Sequence, residues 1–324
     1  MLSRVAERIY WIARYIERAE NSARLVNAYT HQMLDLPGGV EPGWRQLVDI
    51  IGGAPAFDEH YRIYDEYNTV SFLVADDFSP GSIVTSVSMA RENMRTTREL
   101  LPTEAWQHCN ELYLQVRQHA REGIPRRGRH DFLKDVIFRC QQLTGLLAGT
   151  MSHDVAYDLV RLGRNLERAD MSTRIVDSAI FILMPRQRAP GQYDNLLWVN
   201  VLKSTSGDQM FRQHVRSRVE GAAVVKFLLH DRYFPRSVAR SVAEAEWSLH
   251  HLPRNKAPLL RILELRERLL TAVIDEMSLA DMHGFIDKLQ LALNLVHNEI
   301  FRTWFQVQHP QPRADAKTAA AANA

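Results

Sequence analysis

A charged phrase that occurs twice constrains the fold of this 324-residue chain more than any other feature. The stretches WIARYIERAE (residues 11–20) and DLVRLGRNLERAD (158–170) both contain Arg-x-x-Glu-Arg-Ala followed by an acidic residue. The first arginine of the phrase, Arg14, recurs as Arg164, a shift of 150 residues. The apolar residues around both phrases obey the same shift, and their steps of three and four place them on one side of an α-helix. Two matching helices are therefore predicted about half a chain apart.

Further pairs of segments match at nearly the same shift. SFLVADDFSPGSIVTSV (71–87) aligns with KFLLHDRYFPRSVARSV (226–242) at a shift of 155, and His130 aligns with His283 at a shift of 153. Loop insertions would produce such small changes in shift. We predict an internal duplication with a first helical repeat at 1–150 and a second at 151–308, packed as one compact unit. The tail at 309–324 lacks large apolar residues, so we expect it to be disordered.

The predicted fold class is all-α, an internally duplicated helical bundle with two pseudo-symmetric halves of about four to five helices each. No hairpin signal or alternating strand run stands out. NTVSFLV (68–74) alone could be a strand, but its counterpart EGAAVVKFLLHD favours a buried helix. The Pro-x-Ser that follows each copy suits the start of a helix. Helical spacing continues through four later segments, 103–121, 132–147, 258–277 and 285–305, and breaks are expected at 35–43, 52–55, 121–130, 184–191 and 251–258.

Composition narrows the functional class. The 40 basic and 38 acidic residues leave a net charge of +2, which gives no general reason to expect nucleic-acid binding. The two cysteines, Cys109 and Cys140, form no disulfide framework and fit a reducing cytoplasm. The N-terminus carries charges every few residues, unlike a signal peptide, and the most apolar stretch, AIFILM (179–184), is too short to span a bilayer. We expect a cytoplasmic protein that binds neither nucleic acid nor membrane.

The repeated charges are the candidate site. In the first predicted helix, Arg14, Glu17, Asn21 and Arg24 lie together opposite the apolar side, whereas Arg18 points away from them.

The second predicted helix reproduces this arrangement. Arg164, Glu167 and Arg174 form the group, and Arg168 stands apart. A third charged segment, ARENMR (90–95), adds Arg91 and Glu92, while its second-half counterpart, AEAEWS, has lost the arginines.

Three interpretations of these charges remain open. They could form solvated helix faces with weak i,i+3 and i,i+4 pairs. They could form an ion-pair lattice where the two halves meet. They could also line a shared cleft, in which arginines hold a carboxylate or phosphate and Glu17 or Glu167, as a candidate catalytic residue, binds an amine or moves a proton. The residues alone favour the two structural interpretations.

Other motifs carry little chemistry. The chain has no phosphate-binding Gly-x-x-x-x-Gly-Lys loop, no Gly-x-Ser-x-Gly nucleophile elbow and no His-Glu-x-x-His zinc motif. His130 and His283 sit near predicted helix starts, where a structural hydrogen bond is the commoner role. We predict no metal site.

Three ordered motifs resemble the bacterial alpha-E family, which is named for its helical content and its Glu-Arg motif. They are IYWIARYIERAENSARLVN (9–27), SPGSIVTSVSMARENMRTTRELLPTEAW (79–106) and TMSHDVAYDLVRLGRNLERADMSTRIVD (150–177), and the resemblance covers roughly residues 1–305. By position, the family's signature residues fall on Glu17, Arg18, Glu167 and Arg168.

The resemblance also implies partners. Alpha-E proteins are typically encoded beside, or fused to, a circularly permuted ATP-grasp protein, often near a transglutaminase-like protease. The implied function is an accessory helical subunit that works in trans with an ATP-grasp type ligase in peptide or amide bond formation or processing. ATP and Mg²⁺ would then belong to the ligase, and no cofactor is expected in this chain. Two alternatives stay open: a stand-alone enzyme that uses the paired Glu and Arg residues on an acyl-phosphate or amide, and a non-catalytic interaction scaffold.

Overall fold

The fold is all-α, as predicted. A computed structural model describes residues 3–35, 43–184 and 194–306, and across these ranges it contains fourteen α-helices and no strand. The predicted tail at 309–324 lies outside the described residues. So do most residues of two predicted breaks, 35–43 and 184–191.

Seven of these helices lie before residue 151. They are α1 (Ser3–Asp35), α2 (Arg45–Ile50), α3 (Ala54–His60), α4 (Glu66–Val74), α5 (Ile83–Arg95), α6 (Thr103–His119) and α7 (Arg126–Thr150).

The other seven lie after it. They are α8 (Val155–Leu183), α9 (Asp194–Ser204), α10 (Asp208–His214), α11 (Gly221–His230), α12 (Val238–His251), α13 (Lys256–Leu270) and α14 (Leu279–Ile300). Each group has more helices than the four to five expected, because several helices span only two or three turns, too few to show a helical period.

Polar side chains fix where several helices begin. The hydroxyl of Ser82 accepts a hydrogen bond from the Thr85 N–H at the start of α5, and Ser237 does the same for the Arg240 N–H at the start of α12. These are the serines of the two Pro-x-Ser segments, which were predicted to start helices. The ambiguous segment at 68–74 lies in α4 and is therefore a helix, not a strand.

Some predicted boundaries were wrong. The segment at 258–277 is not one helix, since α13 ends at Leu270 and a short 3₁₀ turn follows at Ile274–Glu276. The break at 121–130 is shorter than expected because α7 begins at Arg126, directly after Pro125. The break at 52–55 gives way to α3 at Ala54, with a proline in the first turn, where proline is tolerated. At the other end, α14 continues into a π-helical turn at Phe301–Phe305.

The long helices α1 and α8 form the centre of the molecule. They pack on each other, α1 also packs against α5, α7 and α9, and α8 packs against α12 and α14. The two helices are close together at Gly163, where an added Cβ atom would lie 2.3 Å from the carbonyl oxygen of Tyr10. Because neighbours cover both helices on several sides, their charged side is buried as well as their apolar side. The internal duplication and the two-repeat division stay predictions.

No helix among the described residues is both long enough and apolar enough to cross a membrane.

Candidate functional site

The crossing of α1 and α8 buries the carboxylate of Glu167 among arginines of α1. Glu167 is only 2% exposed. It accepts hydrogen bonds from Arg14 Nε at 2.7 Å and from Arg18 Nε and Nη2 at 2.6 and 3.1 Å. Two guanidiniums from one helix therefore neutralise one acid on the other.

Glu17 occupies the reciprocal position on α1 and is also 2% exposed. It accepts hydrogen bonds from Arg168 Nε and Nη2 at 3.0 and 2.8 Å. Its second cation is Arg236, in the turn before α12, whose Nη1 donates at 2.8 Å. Each Glu-Arg pair is thus split, with the glutamate held by the arginine of the opposite pair.

This geometry corrects the expectation that Arg18 and Arg168 stand apart. Neighbouring residues on a helix do point about 100° apart. The arginine side chains are long enough to reach around the rim of the crossing, so Arg18 joins Arg14 on Glu167. The rotation of the backbone alone does not reveal this convergence.

Both buried glutamates remain ionised at neutral pH. Burial raises the pKa of Glu17, but Arg168 and Arg236 outweigh that effect and lower the pKa to about 2. Burial acts likewise on Glu167, and Arg18 and Arg14 lower its pKa to about 2. A general base works best with a pKa near the operating pH. These carboxylates are therefore suited to holding charge across the helix crossing and poorly suited to taking up a proton.

A second layer of ion pairs surrounds the glutamates. Arg24 donates from Nε and Nη2 to Glu20 at 3.0 and 2.7 Å. Arg236 Nη2 donates to the same Glu20 oxygen at 2.6 Å, and its Nη1 donates to the Asn21 side-chain oxygen at 2.6 Å. Asn21 and Arg24 therefore belong to the cluster, as predicted from their positions on the helix, but Arg24 pairs with Glu20 rather than with Glu17.

The matching residues of α8 are arranged more openly. Arg174 Nε donates to Asp170 Oδ2 at 2.9 Å. Arg164 does not join this group around Glu167, which corrects the predicted cluster. It is half-buried on the side of Glu17, and its Nε has no hydrogen-bond partner among the described residues.

Open space lies beside Glu167. A cavity of about 520 Å³ between α1, α8 and α14 is lined by three arginines, two aspartates and His297, among other residues: Arg14, Arg18, Arg174, Asp170 and Asp287. A smaller cavity of about 150 Å³ reaches Gly81, and a third of about 600 Å³ lies towards α2. Arg174 lines all three cavities. We call the three together the α8 groove.

Comparison with known protein families identifies the family of this chain. The model of the Alpha-E family, described as "a predicted alpha-helical domain with a conserved ER motif", matches residues 1–305. The chain belongs to the Alpha-E family. In this Alpha-E protein, the two Glu-Arg pairs are the residues that exchange partners across the helix crossing.

Relatives of this Alpha-E protein include three mycobacterial proteins. An uncharacterised protein of Mycobacterium bovis is 22% identical over 316 residues, which is 91% of this chain and 35% of the relative. Uncharacterised proteins from two strains of Mycobacterium tuberculosis match with the same identity and coverage. The Alpha-E chain therefore spans about a third of the length of these curated relatives. No solved structure matches it.

Two predicted site residues of the Alpha-E chain lie elsewhere. Arg91 on α5 donates from Nε to the Asn110 side chain at 2.8 Å and lies over the ring of Tyr113. Glu92 is paired with Arg95 on the same helix at 2.7 Å. The structure does not bring this segment to the helix crossing.

Sequence reasoning missed several members of the Alpha-E cluster. Arg236, Glu20 and Asp170 were not proposed, although Arg236 aligns with Gly81 in the repeat, and that difference was the available signal. His297 was also missed. Its Nδ1 accepts from Tyr10 Oη at 2.9 Å and from Arg14 Nη1 at 3.2 Å, and burial with the Arg14 charge lowers its pKa to about 4. At neutral pH, His297 is therefore an uncharged hydrogen-bond acceptor.

One group of possible metal ligands lies at the edge of the α8 groove. Asp177, His283 and Asp287 turn one ligand atom each towards a common point, within 4.8 Å of one another. His283 Nδ1 lies 2.6 Å from Asp177 and its Nε2 lies 3.8 Å from Asp287. Since both ring nitrogens face carboxylates and the Asp177 hydrogen bond raises the pKa of His283, the group suits a protonated imidazole between two acids. The prediction of no metal site stays a prediction.

Proposed function

We propose that this Alpha-E protein is an accessory helical subunit that works in trans with an ATP-grasp type ligase in peptide or amide bond formation or processing. The observation that carries the proposal is the neutralised state of both signature glutamates. Each accepts hydrogen bonds from two arginines and is almost fully buried. A motif used in this way builds a rigid frame, and the chemistry is left to a partner.

The lengths of the relatives also support a cooperating module. In the mycobacterial proteins, the matched region is about a third of the chain, so the Alpha-E region is joined there to a long additional sequence. We propose that such a module cooperates in trans with the ligase. ATP and Mg²⁺ would bind to the ligase, a transglutaminase-like protease would be a further partner, and the complex would act in the cytoplasm.

Co-purification tests this proposal. The Alpha-E chain is expressed together with the ATP-grasp protein encoded nearest to it, and the mixture is analysed by affinity capture and size-exclusion chromatography. We expect co-elution and a changed rate of ATP hydrolysis by the ligase in the presence of peptide substrates. Separate elution with an unaltered ATPase rate would contradict the proposal.

A non-catalytic scaffold is the second candidate, and the ion-pair lattice at the crossing favours it. The variants Glu17→Gln and Glu167→Gln distinguish the candidates. A scaffold loses thermal stability in these variants, and any variant that remains folded still binds its partner and leaves the partner's turnover unchanged. A stand-alone enzyme would lose its own turnover, although carboxylates with a pKa of about 2 give that alternative less support.

A further inference from the structure

The two sides of the helix crossing differ in how they are closed. On the Glu17 side, Arg236 extends into the cluster and binds Glu17, Glu20 and Asn21. The position aligned with Arg236 in the other repeat is Gly81, which has no side chain to extend.

At a second pair of matching positions, the Glu17 side again has a side chain where the Glu167 side has a glycine. Gly52 and Ser206 both have a positive φ, +68° and +54°, and each directly precedes the N-cap glycine of a seven-residue helix, α3 or α10. Arg24 donates from Nη1 to the Ser206 hydroxyl. The matching Arg174 points its Nη1 towards Gly52, which offers no hydroxyl.

Arg174 is therefore left with unused donors. Its Nε binds Asp170, but within the described ranges its two terminal nitrogens have no hydrogen-bond acceptor. Its side chain is 33% exposed, against 10% for Arg24. This guanidinium lines three cavities, and its two terminal nitrogens (the fork) are free to donate. It is therefore placed to bind a carboxylate.

Asp170 offers the complementary charge. On the Glu17 side, its counterpart Glu20 binds both Arg24 and the incoming Arg236. Among the residues that the structure describes, Asp170 binds only Arg174. The small cavity is lined by both Asp170 and Gly81, the counterparts of Glu20 and Arg236. A ligand ammonium group can lie in that cavity.

The charge balance of the groove selects between ligand types. In the 520 Å³ and 150 Å³ cavities of the groove, three cations, Arg14, Arg18 and Arg174, face three anions, the buried Glu167 and the lining Asp170 and Asp287. A ligand with several negative charges would meet the aspartates, and a purely cationic ligand would meet the arginines. A net-neutral ligand with one charge of each sign suits both sets.

We propose that the α8 groove binds a free α-amino acid. Its ammonium group is held at Asp170, its carboxylate at the free fork of Arg174 with Arg18 nearby, and its side chain lies in the 520 Å³ cavity. Asp170 and Arg174 are hydrogen-bonded to each other at 2.9 Å and therefore lie close together. They suit a ligand whose ammonium and carboxylate groups are attached to the same carbon atom. The cavity size lies within the usual range for small-molecule sites. The site itself stands on the geometry, while the idea that such an amino acid feeds an amide-forming ligase rests on the proposed function.

Binding to the isolated full-length chain tests the proposal. Proteinogenic amino acids are screened one at a time by calorimetry and by NMR shift perturbation. For each binder, the analogue lacking the ammonium group and the analogue lacking the carboxylate are titrated in parallel. We expect at least one amino acid to bind and each analogue to bind at least about tenfold more weakly, since a charge-assisted hydrogen bond contributes about 1.5–3 kcal/mol.

Three variants locate the site. Arg174→Gln removes the fork and is expected to weaken binding about tenfold or more. Gly81→Arg introduces the side chain found at the matching position and is expected to fill the small cavity and abolish binding. Its Cβ meets only the side chain of Ile51 within 4 Å, closest at 3.1 Å, so a small shift of that side chain accommodates it. Arg139→Gln on α7 is the matched control and should bind as the wild type does, because Arg139 also donates from Nε to an aspartate one turn earlier, at 2.8 Å, is 30% exposed and lines none of the three cavities.

Several outcomes would overturn the site. These are no binding by any amino acid, equal binding by the acid-only analogue, or unchanged binding in both Arg174→Gln and Gly81→Arg. If Gly81→Arg does not fold, Arg174→Gln decides alone, because its side chain is partly exposed. The binding experiment contains no ligase, so a negative result does not contradict the proposed ligase partnership. In the same way, a negative co-purification result does not contradict amino-acid binding by the isolated chain.

Discussion

At the scale of single residues, the two members of each Glu-Arg pair bind different neighbours and not each other. The glutamate of each pair points into the crossing, and its arginine reaches the glutamate of the other helix. A buried carboxylate is tolerated only when opposite charges and hydrogen bonds replace its water. Each Glu-Arg pair therefore supplies a counter-charge for the buried glutamate of the other, beside Arg14 at Glu167 and Arg236 at Glu17.

Replacing Glu167 with glutamine should destabilise the protein strongly. The change leaves Arg14 and Arg18 close together without their shared anion, and removing one partner of a buried ion pair typically costs about 3–5 kcal/mol. The free energy of unfolding from urea titration measures the effect. The matched control is Glu92→Gln, an exposed acid paired with Arg95, for which no measurable change is expected. Equal effects in the two variants would contradict the neutralising role of Glu167.

Protonation of His297 should make stability depend on pH below neutrality. Its pKa is about 4 in the folded protein and about 6.5 when unfolded, so the unfolded chain takes up the proton first. The stabilising contribution is complete above pH 6.5 and is lost as the pH falls from there towards 4. Because the ring is only partly buried, we expect a loss on the order of 1–2 kcal/mol.

The pH dependence is tested against His297→Gln, which does not titrate. Unfolding free energies are measured for both proteins at intervals between pH 7.5 and 5, a range that covers the upper part of the histidine step and stays above the glutamate step. Wild type should lose more stability than the variant over that range. Parallel curves would show that His297 is not buried in its neutral form. The glutamates act at lower pH, since their contribution is present above about 4.5 and is lost towards about 2.

At the scale of elements, the long helices could be predicted from the sequence, whereas most of the short helices could not. Helices α1 and α8 run through many turns, so their three- and four-residue steps are evident. Helices such as α2 and α3 have six or seven residues and form because they pack on the core. The candidate site followed the same rule. Residues on the long helices were found, while Arg236 was missed because it lies in a turn, where no periodicity marks it.

The contact between α1 and α8 depends on the absence of a side chain at Gly163. Alanine is the better helix former by about 1 kcal/mol, so Gly163→Ala would stabilise an isolated helix. In the protein, the new Cβ would lie 2.3 Å from the Tyr10 carbonyl oxygen, which forces the helices apart and disturbs the ion pairs between them. We expect a net destabilisation of about 1–3 kcal/mol, measured by thermal and urea unfolding.

Gly145→Ala provides the control for helix propensity. Gly145 lies within α7, is exposed, and has nothing within 4 Å of the added Cβ. This variant should be more stable than wild type by about 0.5–1 kcal/mol. Opposite signs at the two glycines support the close crossing, and stabilisation at Gly163 would refute it.

At the scale of the whole molecule, the core does not divide at the predicted repeat boundary. One continuous apolar cluster includes residues of α1 and α8 and of the helices packed on each. The ion pairs follow the same pattern, because Glu17 is neutralised from α8 and from the turn before α12. The residues of the two predicted repeats therefore share one core, with a closed side at Glu17 and an open groove at Glu167.

The two repeats should consequently be unable to fold alone. The fragment 1–150 would expose the side of α1 that packs on α8 and would leave Glu17 buried or half-buried without Arg168 and Arg236. The fragment 151–308 would leave Glu167 without both of its arginines. We expect each fragment to show weak helical circular dichroism and poorly dispersed NMR spectra, whereas the intact chain should unfold in a single calorimetric transition. Mixing the fragments should restore helicity if the crossing drives assembly, and a fragment that folds alone with a cooperative transition would show that the repeats are separate domains.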